Sequence, residues 1–171
     1  EQKKQSAEGE KEAKSGLSTE YITQWSYGIG ETWTLLIPDT KGGASGYIGN
    51  NKKALENVSP NMREYVAQMN QYWGDQPGTS GPVYAGALIM FLFILGCFIV
   101  KGSLKWALLA VTFLSIILSW GKNFLPVTQW FIDYFPMYNK FRTVSSILVI
   151  AEFCIPLLAI LALKELITKP K

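Results

Sequence analysis

The sequence predicts an all-α, polytopic helical membrane protein with three transmembrane helices, an interfacial amphipathic helix and an irregular extramembrane N-terminal segment. Two observations lead to this class. Ten of the thirteen acidic residues lie within residues 1–82, whereas residues 83–163 contain three long apolar runs with charges mostly at their ends. Each run has close to the roughly 20 residues that a helix needs to cross the hydrocarbon core of a bilayer.

The three apolar runs define the predicted spans, which cover residues 83–100, 104–120 and 144–163. The first run contains no charged residue, and as a helix it would be about 27 Å long. A short loop with Lys101 and Lys105 joins the first two spans, so we expect them to be antiparallel neighbours. The distribution of lysine and arginine favours the cytoplasmic side for this loop and therefore the outer face for the N-terminal segment.

The N-terminal half is predicted to contain little regular structure. Residues 1–16 are charged and nearly free of apolar side chains, which is typical of a disordered linker. Residues 17–82 are predicted to be outer-face loops with a helix near 60–71. Ser59 followed by Pro60 indicates the start of that helix, because a capping hydroxyl precedes a proline at the first helical position.

An interfacial segment is predicted over residues 121–142, between the second and third spans. It is too polar and too rich in proline to cross the bilayer, yet its apolar residues recur at helical spacing from Val127 onward until Pro136 stops the helix. Three polar residues are predicted on the opposite face of this helix: Thr128, Gln129 and Asp133. Residues 164–171 are predicted to be a cytoplasmic tail.

The composition excludes several classes of function. Histidine is absent, which excludes histidine-based acid–base catalysis and the commonest nitrogen ligand of zinc. Cys97 and Cys154 lie within apolar runs and are interpreted as packing residues. No metal site and no cofactor are therefore predicted. The net charge of +3 is small and unclustered, so no nucleic-acid partner is predicted.

Lys140 and Arg142 are candidate phosphate-binding residues at the outer end of the third span. They flank Phe141, and a cation pair beside aromatic residues could bind a lipid-linked phosphate, with arginine supplying a planar fork and lysine a point charge. The alternative is that both side chains only anchor the helix end at the membrane surface.

Glu152 lies near the middle of the third predicted span, four residues before Pro156. A carboxylate there is costly unless it is protonated, paired or in contact with a wet cavity. One hypothesis is a role in a substrate cavity. The other is a protonated side chain that bonds to Ser115, Ser119 or a helix outside this chain.

Trp73 and Asp75 are candidate sugar-binding residues at the membrane surface. Aromatic rings stack on sugar faces, and carboxylates accept hydrogen bonds from hydroxyl groups. The alternative is an ordinary turn, because Asp75 follows Gly74 and precedes Pro77 by two residues.

Five short blocks of sequence, in this order and spacing, carry a resemblance to a known family. They are residues 24–28 (QWSYG), 36–38 (LIP) followed by Gly42 and Gly43, 72–76 (YWGDQ) with 81–84 (GPVY), 118–121 (LSWG), and 135–136 (FP) with 138–142 (YNKFR). On these blocks the chain resembles the YfhO family of bacterial integral membrane proteins, and it resembles a fragment of such a protein. No single block is a catalytic signature.

The resemblance implies a fold similar to that of membrane glycosyltransferases of the GT-C type. The parent protein would transfer a sugar from a polyprenyl-phosphate carrier to a cell-envelope acceptor, on the outer face of the bacterial cytoplasmic membrane. Its expected partners are the lipid bilayer, the lipid-linked sugar and the remaining transmembrane helices. In such enzymes the catalytic base lies in the first outer loop, which we expect to precede this chain, so no catalytic residue is assigned. The alternative function is a non-enzymatic transporter or scaffold in which Glu152 and the third span line a path.

Overall fold

The computed structural model describes residues 17–77 and 83–168. Over these ranges the chain is all-helical and contains no β-strand. The predicted linker over 1–16 and the end of the predicted tail, residues 169–171, lie outside the described residues. The α-helices are α1 (Thr19–Ile22), α2 (Lys52–Glu56), α3 (Arg63–Ala67), α4 (Ala87–Ile99), α5 (Ser103–Ser119), α6 (Leu125–Tyr134) and α7 (Val149–Thr168). The 3₁₀ turns are Ile29–Leu35, Ile48–Asn50, Pro60–Met62, Gly121–Phe124, Tyr138–Lys140 and Val144–Leu148.

Helix α4 is shorter than the apolar run that predicted it. The prediction was residues 83–100, but the helix begins at Ala87, because Gly86 has a φ of 97° and cannot start it in helical conformation. Ala85, which precedes Gly86, lies outside the helix, because its N–H donates to the carbonyl of Leu35 at 3.2 Å. At about 1.5 Å per residue the helix is roughly 20 Å long.

Helix α7 is the longest helix and extends past its predicted end. The 3₁₀ turn Val144–Leu148 leads directly into it, and the helix continues through Pro156 to Thr168. Lys164 and Glu165 were expected to end the span, but both are good helix formers and lie within the last turns. The segment Val144–Thr168 is long and apolar enough to cross a membrane.

Helix α5 coincides closely with the second apolar run, and α6 coincides with the amphipathic helix predicted within residues 121–142. That α6 lies at a membrane interface stays a prediction. Together the two helices are long and apolar enough to cross a membrane, but the chain bends by 109° between them at Trp120. By length and composition, one helix within the described residues could cross a membrane, or two if this bent pair is a single span. Three spans therefore stay a prediction.

The core forms where α7 packs against α4 and α5. Its central residues are Tyr27, Leu35, Phe93, Val100, Leu108, Leu148, Ala151, Cys154, Ile155, Leu158 and Ala162. Small residues allow the close approach of α4 and α7: a Cβ atom on Gly96 would lie 3.1 Å from the Cγ atom of Leu158 and 3.3 Å from the Cβ atom of Ala162.

We expect Gly96→Leu to separate α4 from α7. A leucine side chain has no space at this contact, and overpacking of this kind costs about 1–3 kcal/mol of unfolding free energy. The matched control is Ala110→Leu, because Ala110 is exposed on α5. Thermal unfolding of the purified chain should show a lower midpoint for Gly96→Leu alone; equal midpoints for both variants would contradict the described contact.

The N-terminal segment and the segment after α5 lie together at one end of the three long helices. The Tyr27 N–H donates to the carbonyl of Ser119 at 2.8 Å, and the Lys122 N–H donates to Ser26 Oγ at 2.8 Å. Gly121 permits this approach, because a Cβ atom there would lie 2.1 Å from Ser26 Oγ. At the opposite end, Lys105 Nζ donates to a carbonyl of the last turn of α4 at 3.1 Å.

The helix predicted near residues 60–71 is present only in part. Pro60 occupies the first position of a 3₁₀ turn as predicted, and α3 follows but ends at Ala67. The backbone then pairs with an earlier part of the chain instead of continuing the helix. The Gln71 N–H donates to the carbonyl of Gly46 at 2.8 Å, and the Ile48 N–H donates to the carbonyl of Met69 at 2.8 Å.

Much of the apolar face of α6 is exposed, although Val127 and Phe131 are half-buried. Thr128, on its predicted polar face, is fully buried and donates to the carbonyl of Gly121 at 3.0 Å. Trp130 and Tyr134 on the apolar face are exposed. Helix α6 therefore packs on the protein through its polar side.

Candidate functional site

A buried carboxylate organises the segment that precedes α4. Glu31 lies in the turn Ile29–Leu35 and is 2% exposed. Its Oε2 atom accepts hydrogen bonds from the N–H groups of Gly28 at 2.5 Å and Asp75 at 3.3 Å. Its Oε1 atom accepts one from the Tyr72 hydroxyl at 2.5 Å. Three protein donors thus replace the hydrogen bonds from water that the carboxylate loses on burial.

The tyrosines beside Glu31 are kept in their protonated, donating form. Burial raises the pKa of Tyr72 well above its ordinary value of 10.0, and the hydrogen bond to Glu31 raises it further. Burial also raises the pKa of Tyr27 to about 12. The Tyr27 hydroxyl donates to the backbone carbonyl of Glu31 at 3.0 Å.

Trp73 and Asp75, predicted as one sugar site, have different surroundings. Asp75 Oδ2 accepts a hydrogen bond from Asn123 Nδ2 at 3.0 Å, so the carboxylate is joined to the turn after α5. The Trp73 side chain instead lines a separate crevice together with Asp39. The structure does not bring the two predicted side chains into one crevice.

Arg142 is fixed by two aromatic residues of the N-terminal segment. Its Nη1 atom donates to the Tyr21 hydroxyl at 3.0 Å. Its Cζ atom lies 4.3 Å from the ring centroid of Trp25 and 5.4 Å from that of Tyr21, within cation–π range. Lys140, its predicted partner, is exposed and does not line the same cavity.

Arg142 borders an open cavity of about 520 Å³ with a mixed polar and apolar lining, which we call the Arg142 cavity. Its other lining residues are Trp25, Tyr27, Gln76, Val83, Thr143, Ser145, Ser146, Leu148, Val149 and Glu152. The Ser145 hydroxyl donates to Gln76 Oε1 at 3.2 Å across one wall. The cavity offers a cation, a carboxylate, hydroxyl groups and an amide to a polar ligand.

Glu152 lines the Arg142 cavity, and no hydrogen bond joins it to Ser115 or Ser119; a bond to a helix outside this chain stays a prediction. Glu152 lies in the first turn of α7, where the helix dipole favours a negative charge, and it is exposed. The hydroxyls of Ser115 and Ser119 donate to carbonyls of their own helix at 2.9 and 2.7 Å. The predicted span begins at Val144, and Glu152 still lies within the continuous helical segment Val144–Thr168 that could cross a membrane.

An apolar crevice of about 340 Å³ adjoins the Arg142 cavity. It is lined by Tyr138, Phe141, Arg142, Thr143, Val144, Ser146 and Ile147, of which Arg142, Thr143 and Ser146 also line the cavity. The Tyr138 hydroxyl oxygen is buried without a partner among the described residues, and burial raises the pKa of Tyr138. A cavity of mixed polarity and an apolar crevice therefore share one wall.

A metal-binding cluster or a known relative would indicate what the candidate site binds. Within residues 17–77 and 83–168, no group of three or more acidic or cysteine side chains could hold a metal ion. Comparison with models of known protein families, with curated proteins and with solved structures finds no match for this chain. What the site can bind is therefore argued from its own residues.

Proposed function

We propose that this chain is part of a bacterial membrane glycosyltransferase related to the YfhO family, and that its Arg142 cavity holds the phosphate of a polyprenyl-phosphate-linked sugar. The observation that carries the proposal is the position of Arg142. Its guanidinium is held by Tyr21 and Trp25 on the shared wall of the Arg142 cavity and the apolar crevice.

The two adjoining spaces suit the two parts of a lipid-linked sugar. A guanidinium forms strong, charge-assisted hydrogen bonds to phosphate oxygens. The Arg142 cavity adds the hydroxyl of Ser145 and the amide of Gln76, which can bond to sugar hydroxyls. The apolar crevice, with Phe141 and Ile147, suits the first isoprene units of the lipid.

The exposed apolar surface supports a membrane setting with three spans. On α4, the residues Leu88, Phe91, Ile94 and Phe98 are each about half or more exposed and recur at helical spacing. A row of large apolar side chains exposed along one helix usually marks contact with another protein or with a membrane. We assign it to contact with lipid and with the remaining helices of the parent protein, in the bacterial cytoplasmic membrane.

The test is binding of radiolabelled farnesyl phosphate, a short polyprenyl phosphate, to the purified chain in detergent. We expect Arg142→Ala to weaken binding about ten- to a hundredfold, because a hydrogen bond to a charged group contributes about 1.5–3 kcal/mol. Arg142→Lys should fall between, since lysine keeps the charge but loses the planar fork.

Two comparisons make this test specific. Lys122→Ala removes an exposed cation outside the Arg142 cavity and should leave binding unchanged. Farnesol lacks the phosphate, so its binding should not depend on Arg142. Equal affinity of the wild-type chain and Arg142→Ala for farnesyl phosphate would contradict the proposal.

A second candidate function is the transporter in which Glu152 lines a path. It is favoured by one observation, the exposure of this carboxylate to the Arg142 cavity. In the glycosyltransferase proposal, Glu152 instead meets the sugar hydroxyls that lie beyond the phosphate. Sugar release from the lipid carrier by the intact parent protein supports the first function, and vectorial uptake without cleavage supports the second.

A further inference from the structure

Another large crevice lies within the N-terminal segment, apart from the Arg142 cavity. It has a volume of about 510 Å³, within the range of about 300–1,000 Å³ that is typical of small-molecule sites. Its lining includes Asp39, Gly42, Asn51, Asn70, Gln71 and Trp73. We call it the Trp73 crevice.

The indole of Trp73 is held in place while most of it stays exposed. The backbone of this residue is fixed, because the Trp73 N–H donates to the carbonyl of Lys41 at 3.0 Å. One edge of the ring lies against Gly42, where a Cβ atom would come within 2.6 Å of Cδ1 and Nε1. The residue is nevertheless 77% exposed, which is unusual for the largest apolar side chain in a folded segment.

The walls of the Trp73 crevice are braced by pairing between two stretches of backbone. An isolated antiparallel bridge joins Tyr47 to Asn70, and Gln71 Nε2 donates to the carbonyl of Tyr47 at 3.1 Å. Asn51 directly precedes α2, but its side-chain amide makes no capping hydrogen bond to that helix. The amide can therefore bond to a ligand. Asp39, Asn51 and Asn70 are all exposed along the crevice.

We propose that the Trp73 crevice binds a neutral oligosaccharide, with one sugar ring stacked on Trp73 and its hydroxyls bonded to Asp39, Asn51 and Asn70. A fixed, exposed aromatic ring beside carboxylate and amide groups is the chemistry that sugar recognition needs, because sugars have apolar ring faces and polar edges. This inference goes beyond the proposed function and stands independently of it.

The charge of the Trp73 crevice determines which saccharide fits. Its lining contains one carboxylate, that of Asp39, and no lysine or arginine. An anionic sugar would meet repulsion and find no cationic partner, whereas a neutral sugar can donate hydroxyl hydrogen bonds to the carboxylate. The Arg142 cavity differs in that its lining contains a cation, Arg142, as well as the carboxylate of Glu152, so the two sites are expected to select different ligands.

The experiment is saturation-transfer NMR of the purified chain with four neutral trisaccharides, namely maltotriose, cellotriose, N,N′,N″-triacetylchitotriose and mannotriose, and with anionic 3′-sialyllactose. We expect at least one neutral trisaccharide to bind, and Trp73→Ala to weaken its binding about tenfold or more. Trp73→Phe should retain part of the affinity. Asp39→Asn should weaken binding without strain, because asparagine tolerates the φ of 57° at this position.

The matched control is Trp33→Ala, which removes another exposed tryptophan that does not line the Trp73 crevice. It should bind the trisaccharide as the wild-type chain does. The proposal is overturned if no neutral trisaccharide binds at millimolar concentration, if Trp73→Ala binds undiminished, or if sialyllactose binds as tightly. None of these results bears on farnesyl phosphate binding, so the two proposals fail separately.

Discussion

Gly74→Ala is expected to abolish the native structure of the segment that precedes α4. A Cβ atom at this position would lie 1.9 Å from Glu31 Oε1 and 2.2 Å from the Tyr72 hydroxyl oxygen. Both groups are partners in one hydrogen bond, so neither can move without leaving a buried polar atom unpaired. We expect a loss of unfolding free energy of about 3 kcal/mol or more.

Chemical unfolding of the purified chain, followed by tryptophan fluorescence, measures this loss. The matched control is Gly46→Ala in the same segment, where the nearest atom to an added Cβ lies 3.6 Å away, an ordinary contact. Gly46→Ala should unfold at nearly the wild-type denaturant concentration. If Gly74→Ala does the same, the tight packing of Gly74 against Glu31 and Tyr72 is wrong.

Glu31→Ala is expected to destabilise the chain by about 3 kcal/mol, because it leaves three donors without an acceptor and each buried unpaired group costs about 1–3 kcal/mol. The donors are the N–H groups of Gly28 and Asp75 and the Tyr72 hydroxyl. Glu31→Gln keeps the shape and one acceptor oxygen, so its loss should be smaller. Urea unfolding provides the measurement, with the exposed Glu64→Ala as control.

The ionisation of Tyr72 supplies a second readout for Glu31→Ala. Its pKa is raised first by burial and then by the hydrogen bond to Glu31, so loss of the acceptor should move the pKa back towards 10.0. Ultraviolet titration of phenolate in the variant would then show ionisation at a lower pH than in the wild-type chain. An unchanged titration together with wild-type stability would mean that Glu31 does not hold Tyr72.

The long helices could be predicted from sequence because their signal is local. The apolar run that ends at Trp120 predicted α5 almost to the residue. The start of α4 was missed because it depends on a distant partner: Leu35 holds Ala85 in a non-helical conformation. A run of apolar residues shows that a helix can form, but not where a long-range hydrogen bond prevents it.

The buried carboxylate was not predicted, since its partners are far away in the sequence. Tyr72 and Asp75 follow Glu31 by 41 and 44 residues, and no local pattern joins them. One local signal was available. Glu31 stands three residues after Gly28, the spacing at which a glutamate accepts from the backbone N–H that precedes a helical turn.

The candidate site residues show the same division between local and distant information. The residue type of Arg142 suggested phosphate binding, but only the fold shows that Tyr21, 121 residues away, holds its guanidinium. Lys140 has an equivalent charge nearby in sequence yet no place in the cavity lining. Sequence proximity therefore grouped two cations whose surroundings differ.

The outward apolar face of α6 has a consequence for how deep the molecule sits in its proposed membrane. Trp130 and Tyr134 are exposed and are of the types that favour the boundary between headgroups and acyl chains, so in the proposed membrane we expect α6 to lie along that boundary, at an angle of 109° to α5. Only seven residues separate the end of α6 from Arg142. The depth of this helix in the proposed membrane would therefore determine how far the guanidinium lies from the hydrocarbon. A lipid-borne phosphate would then meet its cation without being lifted out of the leaflet.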